Sequence, residues 1–89
     1  MHGLIDSADA WVTNDYESPA FQLARAGYDV WLANNRGNKY SRKHLEYTTK
    51  DEKFWDFSFE QLGAFDLVAL TNYVLSKSDY PKLAYIGHS

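Results

Sequence analysis

The last eight residues of the chain restrict its possible folds more than any other segment. Lys82 to Ile86 form a short apolar run behind Pro81, long enough for a buried strand and too short for a helix. Gly87, His88 and Ser89 follow this run directly. The pattern predicts a strand that ends in a sharp turn, with the Ser89 hydroxyl standing clear of the backbone. A core strand followed by an ordinary polar turn is the alternative interpretation.

The first residues of the chain contain a second turn whose residues are suited to a catalytic site. His2-Gly3-Leu4 is the kind of loop that, in serine hydrolases with a Gly-x-Ser-x-Gly turn, offers a backbone N–H to an oxyanion. Glycine suits this place because, without a Cβ, its main chain can approach a substrate carbonyl closely. An ordinary turn with a solvated histidine is the alternative here.

Composition and charge exclude several classes of function. The 45% hydrophobic and 17% aromatic content is enough for a packed core and argues against disorder. The net charge of −3, with Arg42-Lys43-His44 as the longest basic cluster, disfavours nucleic acid as a partner. No stretch approaches the roughly 18 apolar residues of a transmembrane segment, and no signal peptide is visible. The absence of cysteine excludes disulfides and thiol nucleophiles from this stretch.

Helices and strands are predicted to alternate. A helix is expected over Pro19–Ala26, with Ser18 as its cap, and a buried strand over Tyr28–Ala33. A second helix is expected from Ser58 to about Leu75, because Ser58 and Gln61 have capping-box spacing and apolar residues recur at helical period. This order predicts an α/β fold with a parallel sheet.

Three polar residues outside the two end segments are interpreted as structural. Arg36 lies in the polar loop Asn34 to Asn38, at the carboxyl end of the predicted strand, where open α/β sheets place their sites. It is nevertheless expected to anchor the loop. Asp66 is expected to make a contact on the helix surface or from the helix to a loop, and His44 to be solvated.

A series of short motifs occurs in one order along the chain. They are His2-Gly3-Leu4, Ser7 to Trp11, Ser18 to Phe21, Ala26 to Leu32, Asn35 to Asn38, Tyr40-Ser41-Arg42, Phe54 to Phe59, and Tyr85 to Ser89. In this order they resemble the acid lipase family of gastric and lysosomal lipases, which have the α/β-hydrolase fold. The resemblance identifies residues 1–89 as a partial α/β-hydrolase core, from which the first strands and everything after the nucleophile elbow are absent.

The resemblance implies a role for each end of the chain. Ser89 would be the nucleophile of a Ser-His-Asp triad, and Leu4 would donate one oxyanion-hole N–H. Gly87 and His88 would support the elbow, and His2 and Gly3 the oxyanion loop. No metal or organic cofactor is implied. The chain order of these enzymes is Ser, then acid, then His, so the other triad members would lie after Ser89.

The implied function is hydrolysis of lipid carboxylic esters, either acylglycerols or sterol esters, at a lipid–water interface. The resemblance suggests a secreted or lysosomal protein, although this stretch does not decide its location. Residues 1–89 alone are expected to be inactive, because the triad partners and the lid are not among them. The alternatives are an inactive partial α/β-hydrolase product and a fragment of a non-lipase esterase of the same fold.

Overall fold

Helical segments provide all the regular secondary structure of residues 1–89, which the computed structural model describes in full. Three short 3₁₀ helices span Ala8–Trp11, Asp15–Glu17 and Glu52–Trp55. The first α-helix, α1, spans Pro19–Arg25. A continuous helical stretch then comprises α2 (Phe59–Gln61), a π-helical turn (Leu62–Asp66) and α3 (Leu67–Lys77).

Helix α1 forms where the sequence predicts it. Pro19 takes the first helical position, where its missing N–H costs no hydrogen bond, and Gly27 follows the helix with a φ of 98°. The cap differs in one detail from the expectation. The Ser18 hydroxyl does not bond the first turn of α1 but accepts the Asn14 N–H at 2.8 Å. It therefore ties the helix to the preceding turn, and Ser18 is only 1% exposed.

The predicted capping box of the second helix is confirmed. The Ser58 hydroxyl accepts the Glu60 N–H at 3.2 Å, and the Gln61 side-chain oxygen accepts the Ser58 N–H at 2.8 Å. These bonds satisfy backbone donors that have no partner within the helix. Helix α3 continues to Lys77, slightly beyond the predicted end at Leu75.

The parallel sheet that the sequence predicts, with strands at 28–33 and 82–86, is not confirmed. Neither segment is helical, but no strand ladder is present in residues 1–89. Residues of both segments, together with residues of α1 and α3, line a mainly apolar cavity of about 940 Å³.

Burial is concentrated in the first residues of the chain. His2, Gly3, Ser7 and Ala8 are all buried, although they belong to a turn and the start of a short 3₁₀ helix. Polar groups are rarely buried without hydrogen-bond partners, so this segment must be held by other parts of the chain. No helix of the structure has both the length and the apolar character needed to cross a membrane.

Candidate functional site

The two ends of the chain meet through their backbones. The Met1 amino group donates to the Ile86 carbonyl, and the His88 N–H donates to the Met1 carbonyl at 3.1 Å. This is the hydrogen-bond pattern of one parallel pairing, in which Met1 lies opposite Gly87. The turn that begins at His2 is therefore brought beside the turn that ends in Ser89.

Gly3 and Ser89 are close neighbours at this junction. A Cβ placed on Gly3 would lie 3.4 Å from the Ser89 Cβ and 3.4 Å from Nδ1 of His88. Ser89 has a φ of 64°, in the left-handed region that residues other than glycine adopt at some cost. Ser89 is exposed in the structure of residues 1–89.

The Leu4 N–H lies directly after this contact and is a free donor. It makes no hydrogen bond within the chain, and Leu4 as a whole is 82% exposed. The carbonyl of Gly3, on the other side of the same peptide group, accepts the Asp6 N–H at 3.1 Å. The junction thus places Ser89 beside Gly3, and the next residue, Leu4, has a backbone N–H without a hydrogen-bond partner.

His2 is buried at this junction, so the alternative of a solvated histidine is wrong. It is 4% exposed, and both of its ring nitrogens have partners. Nε2 accepts the Asn35 N–H at 3.0 Å and lies 3.1 Å from the Asn38 amide nitrogen, while Nδ1 lies 2.7 Å from the Gly3 carbonyl oxygen. Because the Asn35 N–H can only donate, Nε2 must accept, which assigns the ring proton to Nδ1.

Three asparagines of the loop after 28–33 complete this network, and the sequence did not identify them as partners of His2. The Asn38 amide donates to the Asn34 side-chain oxygen at 2.7 Å, and the same oxygen accepts the Ala8 N–H at 3.0 Å. The loop Asn34 to Asn38 therefore holds both His2 and Ala8, on either side of the first turn. In the sequence, the signal for this loop is its polar composition at the carboxyl end of a predicted strand.

Arg36, in the same loop, is bound to the second helical stretch. Its guanidinium donates to both carboxylate oxygens of Asp66, with Nε at 2.8 and 3.0 Å, and its backbone N–H also donates to Asp66 at 3.2 Å. These hydrogen bonds raise the pKa of Arg36 above its ordinary value. The predicted structural roles of both residues, a loop anchor and a helix-to-loop contact, are confirmed.

Replacing Asp66 by Asn in the full-length protein is expected to lower the free energy of unfolding by about 1–2 kcal/mol. The Asp66 side chain is only 13% exposed, and its loss of charge weakens several hydrogen bonds from Arg36 at once. Urea unfolding measures the change. Asp9→Asn is the matched control, because Asp9 pairs with Lys39 at a more exposed position and should matter less. An equal effect of the two substitutions would contradict this assignment.

The other two histidines show no arrangement suited to catalysis. Nδ1 of His44 accepts the N–H groups of Glu46 and Tyr47, at 2.9 and 3.0 Å, which gives this exposed residue a local structural role. The His88 side chain makes no hydrogen bond to Ser89 or to any other residue. No group of three or more His, Asp or Glu side chains lies close enough together to hold a metal ion.

Comparison with known proteins finds a family model and several relatives that match the chain over its whole length. Residues 1–89 match the sequence model of the family described as alpha/beta hydrolase fold. A Crotalus adamanteus protein named "Putative lysosomal acid lipase/cholesteryl ester hydrolase" is 51% identical, covering 100% of this chain and 22% of its own length. Gastric triacylglycerol lipase of Rattus norvegicus is 48% identical and Lipase member K of Homo sapiens 47%, each covering 100% of this chain and 23% of the relative. The chain thus spans less than a quarter of the length of these relatives.

Proposed function

The chain belongs to the alpha/beta hydrolase fold family, and on that premise we propose that it is part of a serine hydrolase that cleaves the ester bonds of lipids. The observation that carries this proposal is the contact between Gly3 and Ser89, which brings a Gly-x-Ser turn beside a loop with a free backbone donor. The names of the relatives, which include a gastric triacylglycerol lipase, support lipid esters as the substrates.

Ser89 is the proposed nucleophile. Its Oγ attacks the ester carbonyl carbon while a general base takes the hydroxyl proton, and the carbonyl oxygen becomes an oxyanion. The Leu4 N–H and the N–H of the residue that follows the nucleophile donate to this oxyanion. The C–O bond then breaks, the alcohol leaves with the proton, and an acyl-enzyme remains. Water attacks this ester in the same way and releases the fatty acid.

The general base is proposed to be a histidine that follows Ser89 in the complete protein. Both ring nitrogens of His2 are engaged by the Asn35 N–H and the Gly3 carbonyl, and Nδ1 of His44 holds two backbone donors. A base must come within about 2.6–3.2 Å of the hydroxyl it deprotonates, and His88 makes no such bond to Ser89. In this family the acid and the histidine follow the nucleophile along the chain.

We also infer that 28–33 and 82–86 are strands of a parallel sheet in the complete protein, as the sequence predicts. The pairing of Met1 with Gly87 supports this, because it has the hydrogen-bond pattern of parallel strands and lies at the end of 82–86. The apolar lining of the 940 Å³ cavity also fits a covered strand. In this arrangement Gly3 and Ser89 follow neighbouring strands at the same edge of the sheet, where sites of open α/β folds lie.

Purified full-length protein carrying this sequence tests the function directly. We expect it to release fatty acid from a long-chain triacylglycerol emulsion or from a dispersed cholesteryl ester. A short soluble ester is the comparison substrate, and the Ser89→Ala variant is the blank. Hydrolysis of the soluble ester alone would favour a non-lipase esterase of the same fold. Absence of hydrolysis of every ester by folded protein would contradict the proposal.

A further inference from the structure

The buried His2 ring reaches the peptide group that carries the proposed oxyanion donor. Nδ1 of His2 lies 2.7 Å from the Gly3 carbonyl oxygen, which also accepts the Asp6 N–H at 3.1 Å. The Gly3 carbonyl and the Leu4 N–H belong to one peptide group. Because a trans peptide is planar, its C=O and N–H point in opposite directions. Two hydrogen bonds on the carbonyl therefore fix the direction of the Leu4 N–H.

A flip of this peptide would break both hydrogen bonds and turn the Leu4 N–H away from its present direction. Nothing else in the chain holds that N–H, which makes no hydrogen bond of its own. The orientation of the donor thus depends on what holds the Gly3 carbonyl. An oxyanion-hole donor acts only if it is oriented before the charge develops.

The His2 ring is itself held from the opposite side. Its Nε2 accepts the Asn35 N–H at 3.0 Å and lies 3.1 Å from the Asn38 amide nitrogen. The Asn38 amide is bound in turn to the Asn34 side chain at 2.7 Å. Because Nε2 accepts the Asn35 N–H, the ring presents its proton from Nδ1, toward the Gly3 carbonyl.

We propose that His2 and Asn38 are positioning residues for the oxyanion hole, acting through the Gly3 carbonyl on the Leu4 N–H. The Asn35 N–H fixes the tautomer of the His2 ring, the Asn38 amide restrains the orientation of the ring, and the ring fixes the peptide. Neither side chain needs to touch the substrate. This inference rests on the proposed hydrolase function and adds to it the residues that set the geometry of the first oxyanion donor.

The test compares Asn38→Ala with Asn35→Ala in the full-length enzyme, with a soluble ester as substrate. Asn35→Ala is the matched control, because Asn35 contributes only backbone groups to the network and its side chain makes no hydrogen bond. We expect Asn38→Ala to lower kcat about 10- to 100-fold, less than the loss of about 10²–10³ on removing a donor outright. KM should change little, since the donor stabilises the transition state more than the bound ester.

Variants at His2 provide a second test, which distinguishes a positioning role from an effect on folding. His2→Asn can place an amide donor close to the position of Nδ1, so its kcat should exceed that of His2→Ala. In the double variant His2→Ala/Asn38→Ala, kcat should be close to that of His2→Ala alone, because Asn38 acts through His2. Circular dichroism identifies any variant that fails to fold. If Asn38→Ala does not fold, the comparison of His2→Asn with His2→Ala tests the positioning role.

Two results would overturn the positioning role while leaving the hydrolase function intact. One is a kcat of Asn38→Ala equal to that of Asn35→Ala. The other is independent, multiplicative losses from Asn38→Ala and His2→Ala in the double variant. A wild-type protein without Ser89-dependent hydrolysis would instead overturn the proposed function, and the positioning role with it. The Ser89→Ala blank distinguishes the two failures.

Discussion

Replacing Ser89 by Ala in the full-length protein should lower kcat for ester hydrolysis by at least about 10⁴-fold, and up to about 10⁶-fold. The substitution removes only the Oγ atom, so the backbone pairing of Met1 with Ile86 and His88 should persist. Without that atom no acyl-enzyme can form. What remains is the catalysis that the oxyanion donors and substrate binding supply on their own.

Release of fatty acid and of a chromogenic alcohol measures this effect on emulsified and soluble substrates. Ser78→Ala is the matched control, because it deletes the same hydroxyl from a serine that ends helix α3, and it should retain wild-type activity. Equal rates for Ser89→Ala and wild type would remove Ser89 from the mechanism. A similar loss in Ser78→Ala would show that the effect is structural.

Gly37→Ala should have the largest effect on stability, with a fall in the free energy of unfolding of about 2–5 kcal/mol. Gly37 has a φ of 87°, which a residue with a Cβ adopts only with strain. Its Cβ would also lie 2.8 Å from the Trp55 ring and 3.1 Å from the Phe57 ring. Either the loop or these two rings would have to move to make room for the Cβ.

The Gly27→Ala variant distinguishes backbone strain from steric contact with the Trp55 and Phe57 rings as the cause of the destabilisation. Gly27 has a similar φ of 98°, but a Cβ there would meet no atom within 4 Å. It should therefore cost only the backbone strain, about 1–2 kcal/mol. Urea unfolding of the full-length variants gives both values. Equal destabilisation by the two substitutions would show that packing against Trp55 and Phe57 is not what restricts Gly37.

The helices were predictable because their signals are local. Ser18-Pro19 at the start of α1 and the Ser58–Gln61 pair at α2 act within a few residues of the chain, and both mark helix starts in the structure. The predicted strands are apolar segments whose pairing depends on neighbours distant in the sequence. In residues 1–89 that pairing is limited to Met1 and the segment before Ser89. The family match supports the α/β fold where local pattern alone could not.

In the candidate site, too, the local motifs were predictable from the sequence and the long-range contacts were not. Gly3 and Ser89 stand in motifs whose residue types follow from their chemistry, and the structure places them together. The network around His2 joins residues 33 and 36 positions apart, through single hydrogen bonds to Asn35 and Asn38. A one-dimensional pattern contains no signal for such pairs. The polar loop Asn34 to Asn38 indicated a region of interest, but not its partner.

The most direct test of the account is to map the adduct of a long-chain alkyl phosphonate on the full-length protein. In a p-nitrophenyl ester of such a phosphonate, the activated serine Oγ attacks phosphorus, the P–O bond to p-nitrophenolate breaks, and the remaining phosphoryl oxygen lies where the oxyanion would lie. We predict loss of activity with one phosphonate per molecule, located by mass spectrometry on the peptide that contains Ser89. Inactivation with Ser89 unmodified, or with the adduct on another serine, would contradict the assignment of the nucleophile.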